Sequence, residues 1–306
     1  MRAYLLSRLG QTALVIFLAL TAVFFLVRLG GDPVILFLPM DIQAKDINEF
    51  RQRLGFNDPL GVQYARFIGG AVRGDFGESL RYKKDALGLV LERVPATLQL
   101  AGTALLLTFV VAVPLGVVSA VRRDSAFDHA GTLVTVLGQA VPGFWLGLML
   151  IYVFSVQLRW LPTGGIGTPA QLVMPSIVLA AFYSARVARL TRSAVLDVLN
   201  EDFILTARAK GLGERRVIGT HTLRNAAIPI VTLAGLEAGQ LLGGAVIVET
   251  IFAWPGLGRL TLQALLNRDF PVVLAAVSLT SVTYTLMNLA VDLLYGWLDP
   301  RVRVRA

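Results

Sequence analysis

The sequence predicts an all-α integral membrane protein with six transmembrane helices. Three observations carry this reading. Of 306 residues, 55% are hydrophobic and only 16% charged, against about 45–50% and about 25% in ordinary soluble domains. The mean hydropathy is +0.67. The charged residues are also spaced to leave charge-poor runs of about 20 residues or more, enough to cross a bilayer core of about 30 Å as helix. A single soluble globular domain and a disordered chain are both excluded.

Each run can be justified in order. Residues 9–27 lie between Arg8 and Arg28, and residues 94–121 end at Arg122-Arg123. Residues 130–158 form the third. Residues 160–185 are also free of charge, but Pro162, Gly164, Gly165, Gly167 and Pro169 make the first half loop. The fourth helix is therefore predicted over 172–190, with Arg186 and Arg189 reaching back to the headgroups. Residues 225–248 form the fifth span, broken once by Glu237, and 270–291 the sixth, followed by Asp292. The N-terminus looks like a signal peptide, but its apolar stretch is long and Arg28-Leu29-Gly30-Gly31-Asp32-Pro33 lacks a small-x-small cleavage site. An uncleaved first helix over 1–29 is expected.

Orientation follows from lysine and arginine in the short loops. One side holds the N-terminus, the 122–129 loop, the 186–224 segment and the C-terminal Arg301, Arg303 and Arg305, together fifteen basic residues. The other side's short loops hold Arg159, Arg259 and Arg268. Both termini are expected in the cytoplasm. The other ten basic residues lie between Arg28 and Arg93 with nine acids, a near-neutral mixture that suits a translocated segment. The net charge of +8 thus reflects membrane orientation, not nucleic-acid binding.

Two segments outside the membrane carry pattern. In 30–95, Ile47, Phe50 and Leu54 fall at helical spacing before Gly55, Asp58-Pro59 marks a helix start, and Leu87, Val90, Leu91 and Val94 repeat at i, i+3, i+4, i+7. This reads as a small extracytoplasmic helical platform, either touching a partner or covering its own spans. In the cytoplasm, 203–210 reads as helix, Gly211-Leu212-Gly213 as a tight turn and 214–224 as a second short helix. Glycine permits the left-handed conformation that ends one helix and redirects the next.

The cytoplasmic stretch contains Thr206-Ala207-Arg208-Ala209-Lys210-Gly211-Leu212, then Leu223-Arg224-Asn225-Ala226 with Ile228-Pro229. Three further stretches are Arg73-Gly74-Asp75-Phe76-Gly77-Glu78-Ser79-Leu80, Arg93-Val94-Pro95-Ala96-Thr97-Leu98 and Trp254-Pro255-Gly256-Leu257-Gly258-Arg259-Leu260. In order and over the whole chain, these resemble the membrane permeases of binding-protein-dependent ABC importers, in the dipeptide/oligopeptide/nickel branch. Against the general signature of that family (Glu-Ala-Ala, three residues, Gly, nine residues, Ile-x-Leu-Pro), Ala207, Gly211 and Leu223 match. The signature's glutamate is absent, and the proline is shifted to Pro229.

The resemblance implies a type I importer permease fold in the bacterial inner membrane. Its five-helix core would occupy 96–298, with a coupling helix in the loop at about 200–224 and a cytoplasmic tail over 299–306. It implies that Ala207, Lys210, Gly211, Leu212, Gly213, Glu214 and Arg215 dock on a separate ATPase. Implied partners are a second permease chain, two ATPase subunits holding ATP and Mg, and an external solute-binding protein. No cofactor on this chain and no nucleic acid is implied. Solutes carried in the branch include dipeptides, oligopeptides, glutathione, nickel complexes and sugars.

Within the fifth span, Gly235, Gly239 and Gly243 recur every fourth residue, a stripe that lets another helix approach closely. Glu237 lies about 200° round the helix from that stripe. With Gln240 it is expected to face the substrate pathway, where its carboxylate would meet a peptide's amino group. A neutral Glu237, or one bonded within a subunit interface, is the alternative. Asp292 reads as an anchor beside the basic tail, and His129 and His221 as cytoplasmic loop residues.

Absences narrow the function. Without cysteine, disulfides, thiolate zinc and iron–sulfur sites and a cysteine nucleophile are excluded. No Gly-x4-Gly-Lys-Ser/Thr loop and no Gly-x-Ser-x-Gly elbow occurs, so the chain is not expected to hydrolyse ATP itself. The Asp75-Phe76-Gly77 string has no kinase context. An ATP-independent channel or secondary transporter is the rival reading, which networks of intramembrane charge and broken, repeated helices would favour.

Overall fold

The computed structural model describes residues 2–29, 51, 52, 55 and 57–298. The predicted helix through Ile47, Phe50 and Leu54 and the tail 299–306 lie outside the described residues, as do the side chain of Asp292 and the surroundings of Gly243. Among the described residues the chain is helices joined by turns, with one isolated bridge between Glu78 and Asp85 and no strand. It divides into two compact units, Arg2–Thr97 with Pro255–Leu286, and Leu98–Trp254 with Met287–Ala306.

In the first unit, α1 (Arg2–Leu29) leads to α2 (Leu60–Arg73). Pro59 presets the start of α2, and Gly74, at φ +77, closes it by donating to the Ala71 and Gly70 carbonyls. Phe24 of α1 is fully buried against Tyr64 and Phe67, with ring centroids 5.2 and 5.4 Å away. Asp85 caps α3 (Ala86–Leu91) by accepting from the Gly88 amide. The buried stripe of α3 is Ala86, Leu89 and Val90, one position off the predicted Leu87–Val90–Leu91 stripe, and Leu91 is exposed. That stripe packs on Leu257, Leu260 and Ala264 of α12 (Leu257–Leu266) and on the first turns of α13 (Phe270–Leu298).

The second unit takes α4 (Val94–Val121) from Leu98 onward, then α5 (Ala126–Ala140) and α6 (Gly143–Leu150), which continues as a π-helical stretch over Ile151–Gln157. Here the structure corrects the third predicted span. Instead of one straight helix, α5 and α6 meet at a bend of 97°. Val141 precedes Pro142 and is extended at φ −75, ψ 122, as the proline ring requires of its neighbour.

The fourth helix, α7 (Pro169–Leu199), is longer at both ends than predicted. Pro169 opens it, since a first-turn proline forfeits no helical hydrogen bond, and Thr168 with Gln171 forms a capping box. Ala112 of α4 buries against Val187 and Ala188 of α7. Ala120 packs with Ala194 and Val195 of α7 and with Ala226 and Ile230 of α10 (Leu223–Gly244). The described helices end in α10, α11 (Val246–Ile251) and the last part of α13.

Among the described residues, four helices are long and apolar enough to cross a membrane: Ser7–Leu26, Ala86–Val121, Pro169–Leu199 and Phe270–Val291. The bent pair Ala126–Ala140 and Gly143–Gln157 makes a fifth crossing if it counts as one span. The predicted fifth span forms as α10 but is not among them.

Candidate functional site

Between α7 and α10 the chain folds into an elbow. Its first arm is α8 (Asp202–Ala209). The turn is made by Gly211, whose φ of +78 puts it in the left-handed region that favours glycine. Gly213, by contrast, sits at φ −62 in ordinary extended geometry, so only one of the two predicted turn glycines is needed for its backbone. The second arm is not a separate short helix. Glu214–Arg216 (α9) passes through a π-helical turn, Val217–Thr222, directly into α10. The Leu223 amide donates to the Ile218 carbonyl across that junction.

A small core holds the elbow rigid. Ile204, Ala207 and Val217 are buried together, with Val198, Leu199 and Leu212 packed against them. Arg208 braces the turn with two contacts to Glu214, Nε–Oε2 at 3.2 Å and Nη2–Oε1 at 2.5 Å. This guanidinium holds the Glu214 carboxyl below its ordinary pKa. Of the predicted docking residues, Ala207 is interior and Leu212 half-buried, whereas Lys210, Gly211, Gly213, Glu214 and Arg215 are exposed. The exposed apolar side chains Phe203 (43%) and Leu205 (57%) also lie on the first arm.

Inside the bundle, Glu237 is fully buried and does not present its carboxylate to open space. Its Oε1 accepts from Arg186 Nη1 at 2.8 Å, tying α10 to α7. Arg186 therefore does not reach for headgroups as predicted, because the buried acid is a stronger attraction. Arg189 also finds a partner, donating from Nη2 to Gln139 Oε1 of α5 at 2.9 Å. Gln240 is exposed. Gly235 lies so close to α13 that a Cβ there would collide with Val291, and Gly239 is buried.

Two anchors escaped the sequence reading. Asp128 accepts a two-pronged contact from Arg192, Oδ1 from Nε at 2.8 Å and Oδ2 from Nη2 at 2.7 Å, fixing the 122–129 turn to α7. In the first unit, buried Asp269 accepts from Ser79 Oγ and from the Leu80 amide at 3.1 Å. Neither pairing has a signal in sequence spacing, since the partners are 64 and 190 residues apart.

Comparison with known proteins places this geometry in a lineage. Residues 1–101 match the N-terminal family of binding-protein-dependent transport system membrane components. The chain is 40% identical over 315 residues to the oligopeptide transport system permease protein AppB of Bacillus subtilis (strain 168), covering 99% of each. To the glutathione transport system permease protein GsiC of Escherichia coli (strain K12) it is 40% identical over 303 residues, again covering 99% of each. In fold it is similar to a chain of the MetNI methionine ABC transporter in an inward-facing conformation. That likeness has a TM-score of 0.59 at 20% identity and covers 69% of this chain and 96% of that one. With residues 112–304 matching the family of binding-protein-dependent transport system inner membrane components, and end-to-end identity to its members, the chain belongs to that family of ABC-importer permeases.

Proposed function

We propose that the chain is one of two pore-forming permease subunits of an ATP-driven importer for di- or oligopeptides or similar small solutes. The carrying observation is 40% identity over 99% of the chain to permeases named for oligopeptide and glutathione transport. In this reading six helices cross the inner membrane with both termini cytoplasmic. The crossing through α10 tolerates Glu237 because the acid is paired inside the protein. A second permease chain completes the pathway, and Gln240 stands on its wall.

The elbow is the coupling lever. Lys210, Gly211, Gly213, Glu214 and Arg215, with Leu212 and Ala207 beneath, would dock on one of two ATPase subunits that hold ATP and Mg. The continuous helix from Glu214 through α10 supports this role. An element joined without a loop to a packed helix passes a displacement on through that helix's contacts. An external solute-binding protein would dock on the 30–95 platform and the 253–260 loop.

Affinity purification from the membrane followed by reconstitution tests the reading. ATPase chains should co-purify, and peptide uptake into liposomes should require ATP. Solute flux driven by a gradient through the chain alone, without nucleotide, would overturn it.

A further inference from the structure

The guanidinium groups of α7 carry an inference about which chemical group of the solute the pathway handles. It rests on the peptide-permease reading above. Arg186 and Arg189 are three residues apart and so share a helix face. Arg186 is paired through Nη1 to Glu237, yet its side chain stays 39% exposed while Glu237 is 0% exposed. The acid is therefore interior, while the arginine side chain that holds it still reaches the surface of the chain. Among the described residues, the second carboxylate oxygen of Glu237 is buried without a hydrogen-bond partner, and Arg186 is the one side chain that hydrogen-bonds this acid. Arg189 is exposed and held by the neutral Gln139. Two guanidinium groups against one carboxylate leave the cluster net positive.

An arginine on a membrane-spanning helix faces a partner, a water-filled cavity or, near a helix end, the headgroups; Arg186 and Arg189 turn to side chains of the neighbouring helices. A guanidinium carries five N–H donors in a planar fork matched to carboxylate. We infer that Arg186, positioned by Glu237, and Arg189, positioned by Gln139, form a step in the pathway that contacts the carboxylate of a passing peptide. The sequence suggested that Glu237 meets an amino group. The structure reverses the sign of the chemistry on offer.

The test uses the whole complex in liposomes, with ATPase and binding-protein partners. Its probes are trialanine with a free C-terminal carboxylate and trialanine amide. The binding protein is common to every arm, so its own preference cancels. R189Q should lower initial uptake of the free acid about tenfold, the scale of one charge-assisted hydrogen bond, while amide uptake stays within about twofold. Because R186Q alone strands a buried acid, R186Q/E237Q removes both charges and should show the same selective loss, with R186K retaining more acid uptake than R186Q/E237Q. Equal loss of acid and amide uptake, or no loss, overturns the inference. Uptake of neither probe by the unaltered complex instead sinks the peptide reading on which it stands.

Discussion

Arg186–Glu237 and Arg208–Glu214 are the same chemical pair in opposite surroundings. The first joins two long helices 51 residues apart in sequence, with its acid fully buried. The second spans six residues across an exposed turn, with side chains 39% and 52% exposed. Water screens the second and lets either partner leave at little cost. It cannot reach the Glu237 carboxylate, so the first pair is costly to break although its net gain over an apolar pair is small. Buried charge here fixes which helices meet, whereas exposed charge trims the shape of an elbow that its own small core already holds.

The largest effect should come from splitting the buried pair. R186A should destabilise the chain by about 3–5 kcal/mol, read as thermal unfolding in detergent, whereas R186M/E237L should stay near the unaltered value. If the single and double variants unfold alike, the buried pair is not what anchors α10 to α7. Next in size, D128N loses the charge opposite Arg192 and should cost about 2–3 kcal/mol, with faster proteolysis of the 122–129 turn.

A smaller effect separates the two glycines of the elbow. G211V forces a β-branched residue to φ +78, costing about 1–2 kcal/mol, and should abolish solute-stimulated ATPase activity in the complex. G213V, at an ordinary φ with open space for a side chain within the chain, should leave the turn geometry unchanged, read as an unaltered amide-exchange pattern over 208–216. Full activity in G211V would remove the turn from the mechanism.

The smallest effect belongs to the exposed pair. R208Q should cost no more than about 1 kcal/mol, seen as faster amide exchange over 208–216 without a change in global unfolding. Arg208 lowers the pKa of Glu214. The pair's contribution is therefore complete above the ordinary glutamate range and fades as pH falls through the lowered value. Protection over 208–216, taken relative to intrinsic exchange at each pH, should fall on acidification in the unaltered chain but not in R208Q.

Legibility in the sequence tracked locality. The elbow was visible because Gly211 and the apolar positions Ile204 and Ala207 lie within one short segment. Local chemistry also marked the Asp58-Pro59 start of α2. The bend at Pro142 was missed because a long apolar run was read as one span, although the proline itself was in view. The extension of α7 was missed because Pro169 was read as a breaker, when at a first turn it is a starter. Arg186 was assigned to headgroups because its acid lies on another helix, beyond any spacing rule.

The sequence by itself determined where the chain is apolar enough to enter a membrane, where short loops collect positive charge, and where a left-handed turn must fall. These depend on composition and on residues close in the chain. Only the tertiary structure decided which charge meets which: Glu237 with Arg186, Asp128 with Arg192, Asp269 with Ser79. Helical periodicity gives the face a residue occupies but not the neighbour packed against it. For an ionised group out of water, that neighbour decides whether it is a ligand surface, a backing or a structural tie.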